Sequence, residues 1–260
     1  LAARDVSKVF ETQKLPTGAP RSDPLVFRAL ADISFSVAEE EFVTVLGPSG
    51  CGKSTLLSII AGFDRPSAGE IRLGGRVIEG PSGDRGFVFQ ADALFHWLTV
   101  EQNVAYGLKV QGYSTAQRRD VVERYLQLVG LTRFRDSMPG QLSGGMRQRV
   151  AIARALATDP KILLLDEPFG ALDVLTRKKM QDELGRIWNH THKTVIMITH
   201  SIEEALLLSD RILVMTRSPG KIRETMAVPL DRPRSTREPK FRELELYLTD
   251  RLMHELEDDE

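Results

Sequence analysis

Gly47-Pro48-Ser49-Gly50-Cys51-Gly52-Lys53-Ser54-Thr55 has the residue types and spacing of a phosphate cradle, G-x-x-x-x-G-K-[ST]. A polyphosphate is best held by many backbone N–H groups turned inward, and glycine lets the chain bend that tightly and approach that closely. Lys53 supplies a mobile positive charge for the β- and γ-phosphates, and Ser54 a hydroxyl for Mg²⁺. The helix expected to start near Lys53 points its positive dipole end at the same anion. The chemistry to look for is that of a nucleoside triphosphate.

Two further constellations fit that chemistry. Ile162-Leu163-Leu164-Leu165 is an apolar run that ends abruptly in Asp166-Glu167, and open α/β sheets bind ligands at the carboxyl ends of their strands. Asp166 is suited to hold Mg²⁺ through its water shell, and Glu167 to polarise the water that attacks the γ-phosphorus. Strands ending in acid are common, so the phosphate loop upstream is what gives this pair meaning. Leu142-Ser143-Gly144-Gly145-Met146-Arg147-Gln148-Arg149 precedes a helical run with Val150, Ile152, Ala153 and Leu156. A serine and two glycines at a helix start leave N–H groups beside a hydroxyl, which makes either a second anion site or a plain N-cap on a flexible turn.

The elements that must position these groups are legible from periodicity. Leu1 to Phe10 reads as an edge strand, and Glu11 to Asp23, with Pro16, Gly18 and Pro20, as an exposed connector. Ile33, Phe35 and Val37 alternate with Asp32, Ser34 and Ser36 in a half-buried strand. Glu41 to Leu46 is the strand before the loop and Thr55 to Ala61 the buried helix after it. Glu70 to Ile78 holds two short strands broken at Gly74-Gly75, and Gly86 to Phe89 another that ends at Gln90. Residues 91–159 are a helical insert, with Val100, Val104 and Leu108 repeating every four residues and further helices over 121–129 and 150–156. Strands at 161–165, 194–199 and 211–215 then alternate with helices at 173–189 and 201–208. Such alternation predicts a mainly parallel sheet covered by helices.

Composition sets outer bounds. The chain has 260 residues, 42% of them hydrophobic, enough for one large domain or a domain with a lobe. With 35 basic and 36 acidic side chains, nothing argues for broad attraction to nucleic acid. The single cysteine, Cys51, rules out an intrachain disulfide, suits a reducing compartment, and reads as a small apolar filler of the loop rather than a nucleophile. No apolar run approaches the ~20 residues of a membrane span and no leader pattern opens the chain, so export and insertion are not expected, although Leu1 suggests that residues are missing upstream.

The three motifs, together with Gln90, Ala171-Leu172-Asp173 and His200, resemble in order and over nearly the whole chain the motif set of ABC-type ATPases. The resemblance implies an α/β fold built on a P-loop NTPase (RecA-like) core. That core would have a mainly parallel sheet and an antiparallel β subdomain, and would occupy residues 1–90 and 160–216. An inserted helical subdomain with the signature motif would span 91–159, and a C-terminal extension 217–260. It implies ATP and Mg²⁺ as ligands, with Ser54, Gln90 and Asp166 at the metal. Catalysis would fall to Glu167, His200, Gln90 and Lys53, His200 contacting the γ-phosphate and helping to orient the attacking water. Nucleotide binding would involve Gly47, Pro48, Ser49, Gly50, Cys51, Gly52, Lys53, Ser54, Thr55, Gln90, Ser143, Gly144, Gly145, Asp166 and Asp173, the last communicating across a subunit interface. Phe10 occupies the position of an aromatic ring that stacks on adenine, with Phe27 the alternative.

The same resemblance implies partners: a second copy in a head-to-tail ATP sandwich, integral membrane permease subunits gripped near Gln90 to Val100, and indirectly an extracytoplasmic solute-binding protein. The chain would then sit peripherally on the cytoplasmic face of the inner membrane. Gly80 to Gln90, the Trp97 segment through Asn103 to Leu108, and Ser218 to Ile222 look like the nitrate, sulfonate and taurine importer branch, which suggests a small oxyanion or organic sulfonate as cargo. Other readings are an importer of unrelated cargo, a soluble ABC ATPase of DNA repair or translation, and a non-enzymatic scaffold. The lack of a second cassette, coiled-coil insertion or basic face argues against the soluble ATPase, and Glu167 with His200 against the scaffold.

Three positions depart from the family pattern. Met146 stands where glutamine is commonest, Phe95-His96-Trp97 where leucine-proline-tryptophan is frequent, and Glu39-Glu40-Glu41 lacks a glycine, so that turn must close another way. On the C-terminal stretch, Phe241, Leu244, Leu248, Leu252 and Leu256 share one helical face, which predicts a helix packed on its own domain, with a regulatory or dimer role as the alternative.

Overall fold

The computed structural model describes residues 1–12, 25–91 and 93–257, so most of the predicted 11–23 connector lies outside the described residues. In chain order the first elements are β1 (Ala2–Thr12), β2 (Leu25–Ser36), β3 (Phe42–Leu46), α1 (Lys53–Ala61), β4 (Ala68–Leu73), β5 (Arg76–Val77) and β6 (Arg85–Val88). There follow α2 (Val100–Val110), α3 (Thr115–Leu128), α4 (Gly144–Ala157), β7 (Ile162–Asp166), α5 (Val174–Thr191) and β8 (Thr194–Thr199). The chain ends with α6 (Ile202–Leu208), β9 (Arg211–Met215), β10 (Ile222–Ala227) and α7 (Pro239–Glu257). Two compact units result, one made of Leu1–Glu39, Val43–Pro81 and Ile198–Glu260, the other of Glu40–Phe42 and Ser82–Met197.

In the first unit, β2, β1, β4 and β5 form an antiparallel sheet in that order. β1 is therefore an inner strand, paired with β2 at Ala2↔Ser36 and with β4 at Ala3↔Ile71, and not the edge expected. A single run cannot reveal whether one or both of its backbone edges are paired, because the second partner lies far along the chain. The alternation in β2 is as expected: Ile33 and Val37 are buried while Asp32, Ser34 and Ser36 are exposed. β3, apolar apart from Thr44 and wholly buried, pairs parallel with β9 at Val45↔Leu213.

β10 adds to β9 antiparallel, at Thr225↔Leu213, and was not anticipated. Its half-buried alternation carries only Ile222 and Met226 as large apolar residues, behind a Ser-Pro-Gly turn signal. Phe241 and Leu248 of α7 are buried in one cluster with Leu46, Ala205, Leu206, Ile212 and Val214, with Leu244 and Leu252 packed against it. The last helix thus packs on its own unit, and the side chain of Leu256 lies outside the described residues.

In the second unit, β6 and β7 pair parallel, with Val88 opposite Leu165, and β8 neighbours β7. Ahead of the strand at Phe42, Glu40 takes the left-handed conformation that glycine would take at less cost, at φ 61°, and donates its N–H to Thr194 Oγ1 at 3.0 Å. That is how the glycine-free turn closes. Helices α2 and α3 start with capping boxes, Thr99 with Gln102 and Ser114 with Gln117. α4 begins at Gly144, six residues before the apolar periodicity becomes visible at Val150, because two glycines do not read as helix formers.

Asn103, on α2 and fully buried, ties down the loop that precedes the helix. Its amide nitrogen shares two hydrogens among Phe95 O (3.1 Å), Leu98 O (3.0 Å) and Thr99 O (3.0 Å), and its carbonyl accepts from Phe95 N–H at 2.9 Å. Asn103→Leu keeps the volume but takes this partner from Phe95 N–H and Leu98 O, whereas Thr99 O keeps the Asn103 N–H and Phe95 O keeps the Leu98 N–H. A loss of about 3 kcal/mol is expected in urea unfolding, whereas a loss below about 0.5 kcal/mol would contradict this account.

Candidate functional site

The loop before α1 is built by two positive-φ glycines. At Gly52, φ is 94°, and a Cβ there would meet Leu30 Cδ2 at 2.7 Å and Ala29 O at 2.8 Å. Gly52 is also the N-cap of α1 and provides no side-chain hydrogen bond. Among the described residues, the other helices with a defined start, α2 to α6, are capped by Thr99, Ser114, Ser143, Asp173 and Ser201. Of α1 to α6, α1 alone starts without a side-chain cap, which suits an anion at that position.

Lys53, buried in the first turn, curls back so that its ammonium donates to Gly47 O and Pro48 O, each at 2.8 Å. Ser54 is exposed beside it. Cys51 is buried with Sγ 3.9 Å from Lys53 Nζ, and burial pushes its thiol pKa up against the opposing pull of that lysine. This fits a filler better than a nucleophile. The cradle therefore fits a polyphosphate: a helix start with no side-chain cap, glycine where a Cβ would collide, and one buried ammonium.

The same unit holds His200, exposed just past β8, and Phe10. Phe10 on β1 lies opposite Phe27 on β2, so both rings stand on one face of the sheet, 40% and 51% exposed. Lys8 Nζ lies 4.9 Å from the Phe10 ring centroid.

In the second unit, the parallel pairing of β6 and β7 delivers Gln90, Asp166 and Glu167 to one carboxyl edge. A point one Cβ bond from Gly170 is 3.3 Å from Gln90 Nε2 and 3.7 Å from Glu167 Oε2, and Gly170 N–H donates to Glu167 O at 3.0 Å. Gln90 and Glu167 thus converge around Gly170. Glu167 is held at φ 41°, a conformation that costs a non-glycine residue about 1–3 kcal/mol and persists where surroundings enforce it, characteristically at functional sites.

Ser143-Gly144-Gly145 and Asp173 are brought together in this unit too. Ser143 Oγ accepts Met146 N–H at 3.3 Å and Asp173 Oδ1 accepts Thr176 N–H at 3.1 Å, and that bond holds the Asp173 carboxyl below the usual carboxylate range. An arginine one residue further along each helix, Arg147 or Arg177, donates to the carbonyl just before the cap, Leu142 O at 2.8 Å or Leu172 O at 3.1 Å. A Cβ at Gly145 would lie 2.8 Å from Thr176 Cγ2, and one at Gly144 3.2 Å from Leu172 Cδ2, so the two helix starts pack face to face.

The pattern of the ABC transporter family matches residues 30–170. An uncharacterized ABC transporter ATP-binding protein of Methanocaldococcus jannaschii is 50% identical over 83% of this chain and 81% of its own. The chain belongs to the ABC transporter family. A taurine import ATP-binding protein of Jannaschia sp. is 45% identical over 94% of this chain and 90% of its own. Among solved structures, the dimeric ATP-binding cassette MJ0796 in a post-hydrolysis state bound to ADP and Pi superposes with a TM-score of 0.71 at 33% identity, over 88% of this chain and 99% of that one. This ABC ATPase therefore has the P-loop NTPase α/β fold, binds ATP and hydrolyses it in a reaction coupled to transmembrane transport.

For Mg²⁺, the hydroxyl, amide and carboxylate oxygens of Ser54, Gln90 and Asp166 are hard donors of the right kind, and Mg²⁺ is commonly held by few protein groups together with substrate phosphates. Among the described residues no cluster of three or more His, Cys, Asp and Glu could hold a metal alone. Sequence reasoning missed Gly170, Thr176 and the pair Thr199 and Glu204. Of these, only Ser201-Ile202-Glu203-Glu204 carried a visible signal, that of a capping box.

The contact between the two helix starts gives a suppressor test. Gly145→Ala is expected to cost about 1–3 kcal/mol through overpacking. Thr176→Ser, which removes the Cγ2 methyl, should restore most of it in the double variant, read by urea unfolding; a double variant as unstable as Gly145→Ala alone would contradict the contact.

Proposed function

We propose that this chain is the ATP-hydrolysing subunit of an importer for a small anion or organic sulfonate of the nitrate, sulfonate and taurine kind. The carrying observation is the convergence of Gln90 and a strained Glu167 around Gly170 at one strand edge. Such an arrangement suits a group that must take a proton from water at a defined place. The cargo class is supported by the taurine import ATP-binding protein at 45% identity over 94% of this chain.

In this reading Lys53 and the amides of Gly47 to Thr55 bind the β- and γ-phosphates. Ser54, Gln90 and Asp166 would hold Mg²⁺, which when bound would neutralise charge on those phosphates. Glu167 accepts a proton from the water whose oxygen attacks the γ-phosphorus, and His200 orients that water. The bond between the γ-phosphorus and the bridging oxygen breaks, ADP leaves, and phosphate is the other product. Phe10 or Phe27 stacks on adenine. Ser143, Gly144 and Gly145 of a second copy cover the γ-phosphate from the other side, with Asp173 at the shared interface. The post-hydrolysis dimer of the structural neighbour supports such pairing.

Permease subunits are proposed to dock at the aromatic group of Phe95, Trp97 and Tyr106, where Trp97 is 72% exposed and Phe95 lies 5.5 Å and 4.5 Å from the other two rings. A solute-binding protein would act upstream of them. Among the described residues no helix is long and apolar enough to cross a membrane, so attachment at the cytoplasmic face would be peripheral, through those subunits.

Glu167→Gln is expected to bind ATP with a Kd within about threefold of the parent while turnover falls about 10²–10⁴-fold. Parental turnover would sink the assignment. Lys53→Ala and Ser143→Arg chains, each inactive alone, should recover activity when mixed, because one of the two composite sites is then intact. Full activity of an enforced monomer would refute the shared site.

A further inference from the structure

A hydrogen-bonded ring spans the backbone on either side of the exposed His200. Thr199 ends β8 and Ser201 caps α6, so the histidine sits at the joint between them. Thr199 Oγ1 donates to Glu204 Oε2 at 2.5 Å and accepts Ser201 N–H at 3.1 Å, and Ser201 Oγ accepts Glu204 N–H at 3.3 Å. Thr199 and Glu204 are 1% and 5% exposed, whereas His200 is exposed.

This differs from the capping boxes of α2 and α3 in one respect. There the third helical side chain accepts directly from the cap N–H, Gln102 from Thr99 at 3.0 Å and Gln117 from Ser114 at 2.9 Å. At α6 the Ser201 N–H goes instead to the Thr199 hydroxyl, and the Glu204 carboxylate takes the proton of that hydroxyl. The box is thereby extended backwards by two residues and closes over position 200. Capping alone does not require this, and burying a carboxylate to accept from a hydroxyl is an expensive way to start a helix. The far end of α6 is fixed as well: Arg234 Nη1 donates to Leu206 O (2.7 Å) and Ser209 O (2.6 Å), and Arg232 Nη2 to Leu208 O (2.6 Å). A seven-residue helix pinned at both ends cannot slide or rotate to let the joint relax.

We propose that Thr199 and Glu204 are positioning residues whose hydrogen-bonded latch fixes the backbone at His200, and with it the reach of the imidazole toward the γ-phosphate. The proposal rests on the role given to His200 above. A displacement of the imidazole by about 1 Å is enough to cost about 100-fold in turnover.

The test compares steady-state ATPase of the full chain with thermal unfolding and ATP binding for a set of variants. Glu204→Ala and the apolar pair Thr199→Val with Glu204→Met are expected to lower kcat by about 10- to 100-fold with KM for ATP within about threefold. The apolar pair avoids leaving one partner buried and unpaired, so it keeps the test available if Glu204→Ala does not fold. Thr199→Ser, which keeps the hydroxyl, should retain near-parental kcat. In a His200→Ala background, Glu204→Ala or the apolar pair should lower kcat no further, because the latch acts through the histidine. A folded latch variant with parental kcat, or one that costs the same factor with and without His200, overturns the latch alone. Parental kcat in His200→Ala overturns the role of His200 and the latch with it.

Discussion

A helix start without a side-chain cap can turn its first amides to a polyphosphate, and that constraint organises this chain. Helices α2 to α6 each start with a side-chain cap; α1, entered through Gly52, has none. The uncapped turn is a local cost, offset by the burial of Leu56, Leu57, Ile59 and Ile60 on the same helix and by the wholly buried strand β3 that leads into the loop. Lys53, folded onto the loop carbonyls, keeps the cradle in shape and still carries the charge that a phosphate would draw away.

The signature segment and the Asp173 segment use a different device. Each is a capped helix start with an arginine, Arg147 or Arg177, bonded to the carbonyl that precedes the cap. The glycines there make room for each other's helices more than they free the backbone, as the approach of Thr176 to Gly145 shows. The signature and Asp173 segments are thereby packed against one another, and a shift in either is felt by both.

What was legible in the sequence follows from the range of the signals. β7, β8 and β9 were read within a residue because buried parallel strands are unbroken apolar runs, and the turn into α1 because its glycines are a local signal. β10 was hidden by its half-polar alternation, and the first turn of α4 by its glycines. The inner placement of β1 depends on pairing with β4, far along the chain. Glu40 and Glu167 hold left-handed backbones that their side-chain type argues against. The approach of Gly170 to Gln90 and Glu167, and the bond from Thr199 to Glu204, are distances that the sequence does not express, although the Ser201-to-Glu204 spacing reads as a capping box.

Asn103 has a mechanical consequence. Through its side-chain amide the loop carrying Phe95 and Trp97 becomes an extension of the first turn of α2, with Arg154 of α4 also set against the Phe95 ring at 5.3 Å. A load applied at Trp97 is therefore not absorbed by a yielding loop. It passes into the axis of α2 and across to α4, the helix whose other end carries Ser143, so that the aromatic surface and the signature serine are two ends of one lever.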